Sequence, residues 1–108
     1  QSIILLDFPA APTPGTIVPL GTKGADAKRV VVTWTGSVSS VNGYTIQWST
    51  DSGFATLVGT GTVNQNTTSF TTPKNGLTRG TTYYFRIRAN SNTNGSSLWA
   101  YYPAFTLP

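Results

Sequence analysis

The sequence predicts an all-β fold, a sandwich of about seven strands preceded by an extra N-terminal strand. Three observations carry this expectation. Apolar and polar residues alternate with a period of two in several separate runs. No 3.6-residue periodicity persists anywhere in the 108 residues. Gly, Pro and Asn-Gly turn signals punctuate the runs at roughly ten-residue spacing, as in sheets of short antiparallel strands.

The elements follow in chain order. Residues 1–8, QSIILLDF, form an apolar run with Ile3 and Leu5 facing one way and Ile4, Leu6 and Phe8 the other. A half-buried edge strand alternates apolar with polar, so a run apolar on both faces reads as a strand covered on both sides. Residues 9–16, PAAPTPGT, read as a stiff Pro-rich hinge, and 15–20, GTIVPL, as the first strand of the body. Residues 29–35, RVVVTWT, place Val30, Val32 and Trp34 on one face. Residues 43–49, GYTIQWS, place Tyr44, Ile46 and Trp48 on one face, with Thr45 and Gln47 opposite. Residues 54–63, FATLVGTGTV, read as a weaker strand interrupted by Gly, and 67–72, TTSFTT, as a short one. Residues 82–89, TYYFRIRA, turn Tyr83, Phe85, Ile87 and Ala89 inward and Tyr84, Arg86 and Arg88 outward. Residues 97–107, SLWAYYPAFTL, form the last strand, in which Pro103 marks an edge or a bulge. The expected organisation is therefore a strand over 1–8 and a sandwich over 9–108.

Residues 76–89, GLTRGTTYYFRIRA, resemble the E–F corner of fibronectin type III domains, an immunoglobulin-like sandwich. The resemblance implies that Leu77 plugs the base of the core and that Tyr83 is the corner tyrosine, its hydroxyl returning to backbone upstream. Trp34 matches the tryptophan of that family's second strand, and Tyr44 and Ile46 match the pair on its third. YTIQWSTDSGF resembles the bacterial variant, in which this strand runs into an S-T-D-S-x-F turn. SLWAYYPAFTL resembles the final strand. The family usually has Pro where Arg79 stands. Together these positions, with Phe85 and Ile87, define the expected core. Function does not follow, because the sandwich serves as spacer, adhesin, receptor ectodomain and fibre subunit alike.

Composition narrows the chemistry. His, Cys and Glu are absent, so the usual proton-transfer bases and nucleophile pairs cannot be assembled, and no enzyme is expected. Asp7, Asp26 and Asp51 sit in separate segments with no spacing that suggests a carboxylate pair. Neither a cofactor nor a metal is expected. Asp51 and Ser52 offer calcium too few oxygens and read instead as an Asx-type turn. The seven cations, net charge +4, are scattered, unlike the dense stripe of a nucleic-acid binder, and no run is long enough to insert into a membrane. Charged residues make up 9% of a chain rich in Ser, Thr, Asn and Gly, which points to an extracellular or cell-surface location. The chain has no Met and opens on Gln1, so a cleaved leader or excision from a longer chain is expected.

Several candidate sites remain. Outward Tyr84, Arg86 and Arg88 read as the solvent face of a strand, or less simply as a strip for glycan or nucleic acid. Trp99 and Tyr101 are candidates for a sugar-stacking platform; the simpler reading has Trp99 at the core margin and the tyrosines alternating. Asn66 and Asn94 open glycosylation sequons in predicted turns. Ile3, Ile4, Leu5, Leu6 and Phe8 are surplus to a complete sandwich, and strand donation to a neighbouring subunit fits them best. The leading expectation is accordingly a non-enzymatic exported subunit of a surface filament or pilus-like fibre, its partners copies of itself. The alternative is a spacer or a carbohydrate- or protein-binding module of a larger secreted enzyme or adhesin, its partners adjacent domains.

Overall fold

The computed structural model describes residues 9–36, 41–91 and 95–108. The expectations for Ile3, Ile4, Leu5, Leu6, Phe8 and Asn94 fall outside the described residues. Nine strands are described: β1 (Thr13–Pro19), β2 (Val30–Thr35), β3 (Gly43–Ser49), β4 (Gly59–Asn64), β5 (Ser69–Thr71), β6 (Thr82–Ser91), β7 (Gly95–Ser96), β8 (Ala100–Tyr101) and β9 (Phe105–Thr106). All pairings are antiparallel, in one sheet ordered β1-β2-β5 and a second ordered β4-β3-β6-β7, with β8 and β9 also on β6. A single 3-10 turn, Gly24–Lys28, joins β1 to β2.

Alternation builds the core. β2 turns Val30, Val32 and Trp34 inward, and β6 turns Tyr83, Phe85, Ile87 and Ala89 to meet them. β3 adds Tyr44, Ile46 and Trp48 between. Trp34 packs against Tyr44 with ring centroids 5.7 Å apart, and Trp48 lies between Phe70 at 5.7 Å and Phe85 at 5.9 Å. Tilted and stacked aromatic pairs of this kind add to the burial of their large surfaces. β4 shows why the Gly-interrupted run still forms a strand. Its inward positions opposite Trp48 and Ile46 are Gly59 and Gly61. A Cβ at Gly61 would lie 2.6 Å from the Phe70 ring, and one at Gly59 would strike Trp48. Missing side chains make room for rings that arrive from neighbouring strands.

Several boundaries differ from the sequence expectation. The strand expected at 54–63 begins only at Gly59, because Phe54 lies in a tight turn with φ of 56°. Residues 13–16 belong to β1 rather than to a hinge, since Thr13 and Pro14 pair with Thr35 and Trp34 across a bulge. The last strand is three short pieces. From Ser96 to Ala100 the chain takes four steps while β6 takes three, from Asn90 to Ile87. The same happens between Tyr101 and Phe105, where β6 runs only from Arg86 to Tyr83 and where Pro103 has no N–H to give. Two one-residue bulges result.

At the corner, Leu77 and Tyr83 are both buried, and the Thr78 N–H donates to the Tyr83 hydroxyl at 2.7 Å. Arg79, where the family has Pro, donates from Nε to the Pro108 carbonyl at 3.0 Å. Removing the Tyr83 hydroxyl leaves a part-buried amide without its acceptor. Tyr83→Phe is expected to lower stability by about 1–2 kcal/mol in urea unfolding, while Tyr84→Phe leaves the midpoint unchanged. Equal midpoints for the two variants would refute the corner bond.

Candidate functional site

The outer face of the larger sheet brings together residues that the sequence leaves apart. Inward Phe85, Ile87 and Ala89 fix Arg86 and Arg88 on this face, next to each other in the side-chain row of β6. Register then sets two rows across the strands. Thr60, Gln47, Arg86 and Tyr101 form one, and Thr62, Thr45 and Arg88 the other. Gln47 Oε1 accepts from Arg86 Nη2 at 2.7 Å and Nε at 3.0 Å. In the same region Asn90 Nδ2 donates to Thr45 Oγ1 at 2.8 Å, and Ser96 Oγ to Asn90 Oδ1 at 3.2 Å.

Two aromatic rings close over the arginines. Ser97 is clamped to β6, its N–H donating to the Ala89 carbonyl at 2.8 Å and its Oγ accepting from the Ala89 N–H at 2.9 Å. The bulge that follows carries Trp99 over both guanidiniums, with Arg86 Cζ 4.1 Å and Arg88 Cζ 4.5 Å from the ring centroid. Re-aiming one side chain is what a bulge does well. Phe54 covers Arg86 from another direction, 4.4 Å from its ring centroid, and meets Tyr101 edge-on at 5.8 Å. The result is a stack of aromatic rings and guanidiniums whose attraction comes from the ring quadrupoles.

The turn that delivers Phe54 is built from Asp51. Its carboxylate accepts from the N–H groups of Gly53 at 3.1 Å and Ala55 at 3.0 Å, and its carbonyl accepts from the Phe54 N–H at 2.9 Å. Ser49 anchors the base, accepting from the Asp51 N–H and donating to the Thr56 carbonyl at 2.6 Å. The Asp51 oxygens thus serve the Asx-type turn. Phe54, only 7% exposed, holds a left-handed backbone that most residues avoid, which the turn imposes.

Sequence-predicted residues divide clearly. Trp99 and Tyr101 share a face with Arg86 and Arg88, although the Trp99 ring faces arginine rather than the core margin. Tyr101 is 55% exposed and Tyr102 buried, so the two tyrosines do alternate. The Tyr102 hydroxyl donates to the Thr33 carbonyl at 2.7 Å, tying the two sheets, and burial pushes its phenol far above the usual range. Tyr84 is half-buried at the start of the face. Asn66 is exposed in the turn between β4 and β5, where its N–H donates to Asn64 Oδ1. Sequence reasoning missed Phe54 and Gln47 as partners of Arg86. The S-T-D-S-G-F turn was the available signal for the first. No grouping of metal-ligating side chains occurs among the described residues.

Hydrogen bonds from Gly53 and Ala55 hold the Asp51 carboxyl below its ordinary value of 3.8. A carboxyl depressed in the folded state contributes stability above its unfolded value and loses it as pH falls through the folded one. Melting temperature is therefore expected to fall on acidification below about pH 4, and Asp51→Asn to flatten part of that slope. Parallel melting-temperature curves for the two proteins would overturn the assignment.

The fibronectin type III domain family matches residues 16–101. Among solved structures, an Fn3-like protein from Clostridium thermocellum is 29% identical, aligning over 86% of this chain and 88% of its own, with a TM-score of 0.61. The spore cortex lytic enzyme of Clostridium perfringens is 19% identical over 91% of this chain and 28% of its own, with a TM-score of 0.66. The twitchin kinase region of C. elegans is 23% identical over 94% of this chain and 17% of its own, with a TM-score of 0.65. In the last two, the similar part is a small share of a longer protein. Among curated proteins there is no significant match. The corner tyrosine, the two-sheet topology and the match over most of its length establish that the chain belongs to the fibronectin type III domain family.

Proposed function

We propose that this domain is a non-enzymatic module of a larger extracellular protein, spacing its neighbours along a chain and presenting a binding face to the side. The observation that carries this reading is where the strands begin and end. Thr13 pairs with Thr35, the Asn42 N–H donates to the Asn90 carbonyl, and Gly43 pairs with Asn90. The start of β1 therefore lies at the end of the sandwich where β2 and β6 finish. Phe105 and Thr106 pair with Tyr83 and Thr82, where β6 starts. The chain comes in at one end and leaves at the other, separated by the length of a ten-residue strand, roughly 30 Å. Domains threaded this way string end to end without doubling back. Similar domains within a lytic enzyme and a kinase region support the modular reading, as does the low-charge, hydroxyl-rich composition.

A second reading, a fibre subunit that donates Ile3–Phe8 to a neighbour, has one observation in its favour. β1 and the β8–β9 segment are both outer strands of their sheets among the described residues. Between them runs an apolar groove of about 280 Å³ lined by Ile17, Val18, Tyr102, Pro103 and Phe105. Unpaired edges beside an apolar groove are what an added strand requires.

Small-angle scattering on two copies joined head to tail tests the module. An extended particle close to twice the length of one copy is expected, and a compact side-by-side particle would refute end-to-end threading. Electron microscopy of the full chain and of a chain lacking residues 1–8 tests the fibre. Filaments that vanish on truncation would favour the fibre over the module, and monodisperse monomers in both samples would exclude it.

A further inference from the structure

We propose that the arginine–aromatic stack on the outer face of β3, β4, β6 and β8 is a binding site for a linear acidic polysaccharide. The inference deepens the modular reading, on which it rests, by naming the ligand of its lateral face.

Among the described residues the charge on this face has no protein counterpart. Arg86 and Arg88 both lie over Trp99, so their Cζ atoms are no further apart than the sum of those two distances, 8.6 Å. Among the described residues no carboxylate pairs with either guanidinium. Asp51 spends its oxygens on Gly53 and Ala55, and Asp26 sits in the 3-10 turn between β1 and β2. Gln47 and, at 3.5 Å, the Tyr101 hydroxyl supply Arg86 with neutral acceptors, and Arg88 Nε is buried without an acceptor among the described residues. Two neighbouring cations held rigid by ring faces, with no anion supplied, are prepared for an anion from outside.

The surroundings select a sugar chain rather than an acidic peptide. The row Thr60, Gln47, Arg86, Tyr101 crosses four strands, a length of roughly 14 Å. The exposed hydroxyls of Thr60, which donates to the Ile46 carbonyl at 3.3 Å, and Thr62 stand at the β4 ends of the two rows. These groups donate to and accept from sugar hydroxyls equally well. At the end of the row Tyr101 is 55% exposed, giving the apolar face of a sugar ring a surface to lie on. A carboxylate or sulfate on the chain then meets the arginine edges while its ring rests on Tyr101. No covalent step is involved.

Affinity electrophoresis in gels containing polygalacturonate, dextran sulfate, neutral dextran or polyglutamate, at about physiological salt, tests the assignment. Retardation is expected in one or both acidic polysaccharides and in neither neutral dextran nor polyglutamate; which acidic gel retards distinguishes a carboxylated from a sulfated chain. Arg88→Gln is expected to weaken retention about tenfold, whereas Lys74→Gln, an equal charge change in the turn after β5, leaves it nearly intact. Tyr101→Ala removes a ring that is 55% exposed but also meets Phe54, so it is expected to lower the melting temperature modestly and to weaken retention at a temperature where both proteins are folded. It keeps the test decisive if Arg88→Gln fails to fold. Equal losses for Arg88→Gln and Lys74→Gln, equal retardation by polyglutamate, or no retardation in either acidic gel would each overturn the proposal. None of these outcomes bears on the scattering test of end-to-end threading, so the ligand and the module can fail separately.

Discussion

Strand β6 separates two chemistries across the thickness of one sheet, and the rest of the domain is arranged around that separation. Its inward residues Tyr83, Phe85, Ile87 and Ala89 meet both sheets, while Arg86 and Arg88 stand on the opposite face. Sliding β6 by one residue against β3 would exchange these sets. Two guanidiniums would then enter a core of Trp34, Trp48 and Ile46 with no carboxylate to pair with, at a cost of several kcal/mol each. Such a penalty is far larger than the pairing preference of any single ladder bond, so register is decided by side chains rather than by backbone. Because β3, β7, β8 and β9 all pair with β6, one register governs the whole larger sheet.

The same strand explains why β3 is buried on both sides. Its burial pattern shows six of seven residues buried, although the outer ones are Thr45 and Ser49 rather than large apolar groups. An ordinary antiparallel sheet leaves such positions wet. Here the arginine stems, Trp99 and the turn carrying Phe54 roof them. Long cationic side chains cover surface with their methylenes while the charged ends remain near polar partners. The hydroxyls beneath are satisfied locally, Thr45 by Asn90 and Ser49 by the Thr56 carbonyl. A polar second layer therefore sits on the sheet without disturbing its ladder.

Much of this was legible in the sequence, for reasons that can be traced residue by residue. GYTIQWS and TYYFRIRA alternate over seven or eight residues, enough for period two to stand out, and both strands lie where the alternation places them. The corner was legible because Leu77 and Tyr83 hold fixed positions around a Gly turn. Legibility failed where geometry depends on contacts distant in sequence. FATLVGTGTV reads as one run, yet Phe54 is pulled out of line by Asp51 and only the glycines opposite Ile46 and Trp48 continue the strand. SLWAYYPAFTL reads as one strand, but its two bulges exist only relative to β6. Nothing local to Trp99 says that its ring will meet Arg86 and Arg88. That contact follows from the Ser97 clamp and the extra residue after it.

The energetics of the stack bear on whether it is finished by the protein alone. Two guanidiniums no more than 8.6 Å apart repel by at least roughly 0.5 kcal/mol if water fully screens them and by at least about 2 kcal/mol at the effective dielectric of a half-buried surface. Each cation–π contact returns about 0.5–2 kcal/mol, so Phe54 and Trp99 offset the repulsion and hold the pair in place. The rings do not remove the charge, however, because a quadrupole weakens with distance faster than a monopole. Seen from solvent, the face remains doubly positive, with neutral hydroxyls and amides on its flank. A chain with only 9% charged residues has many uncharged ways to roof a sheet. An anion bound there would relieve the repulsion of both arginines at once, a gain that an aliphatic roof of the same area would never make available.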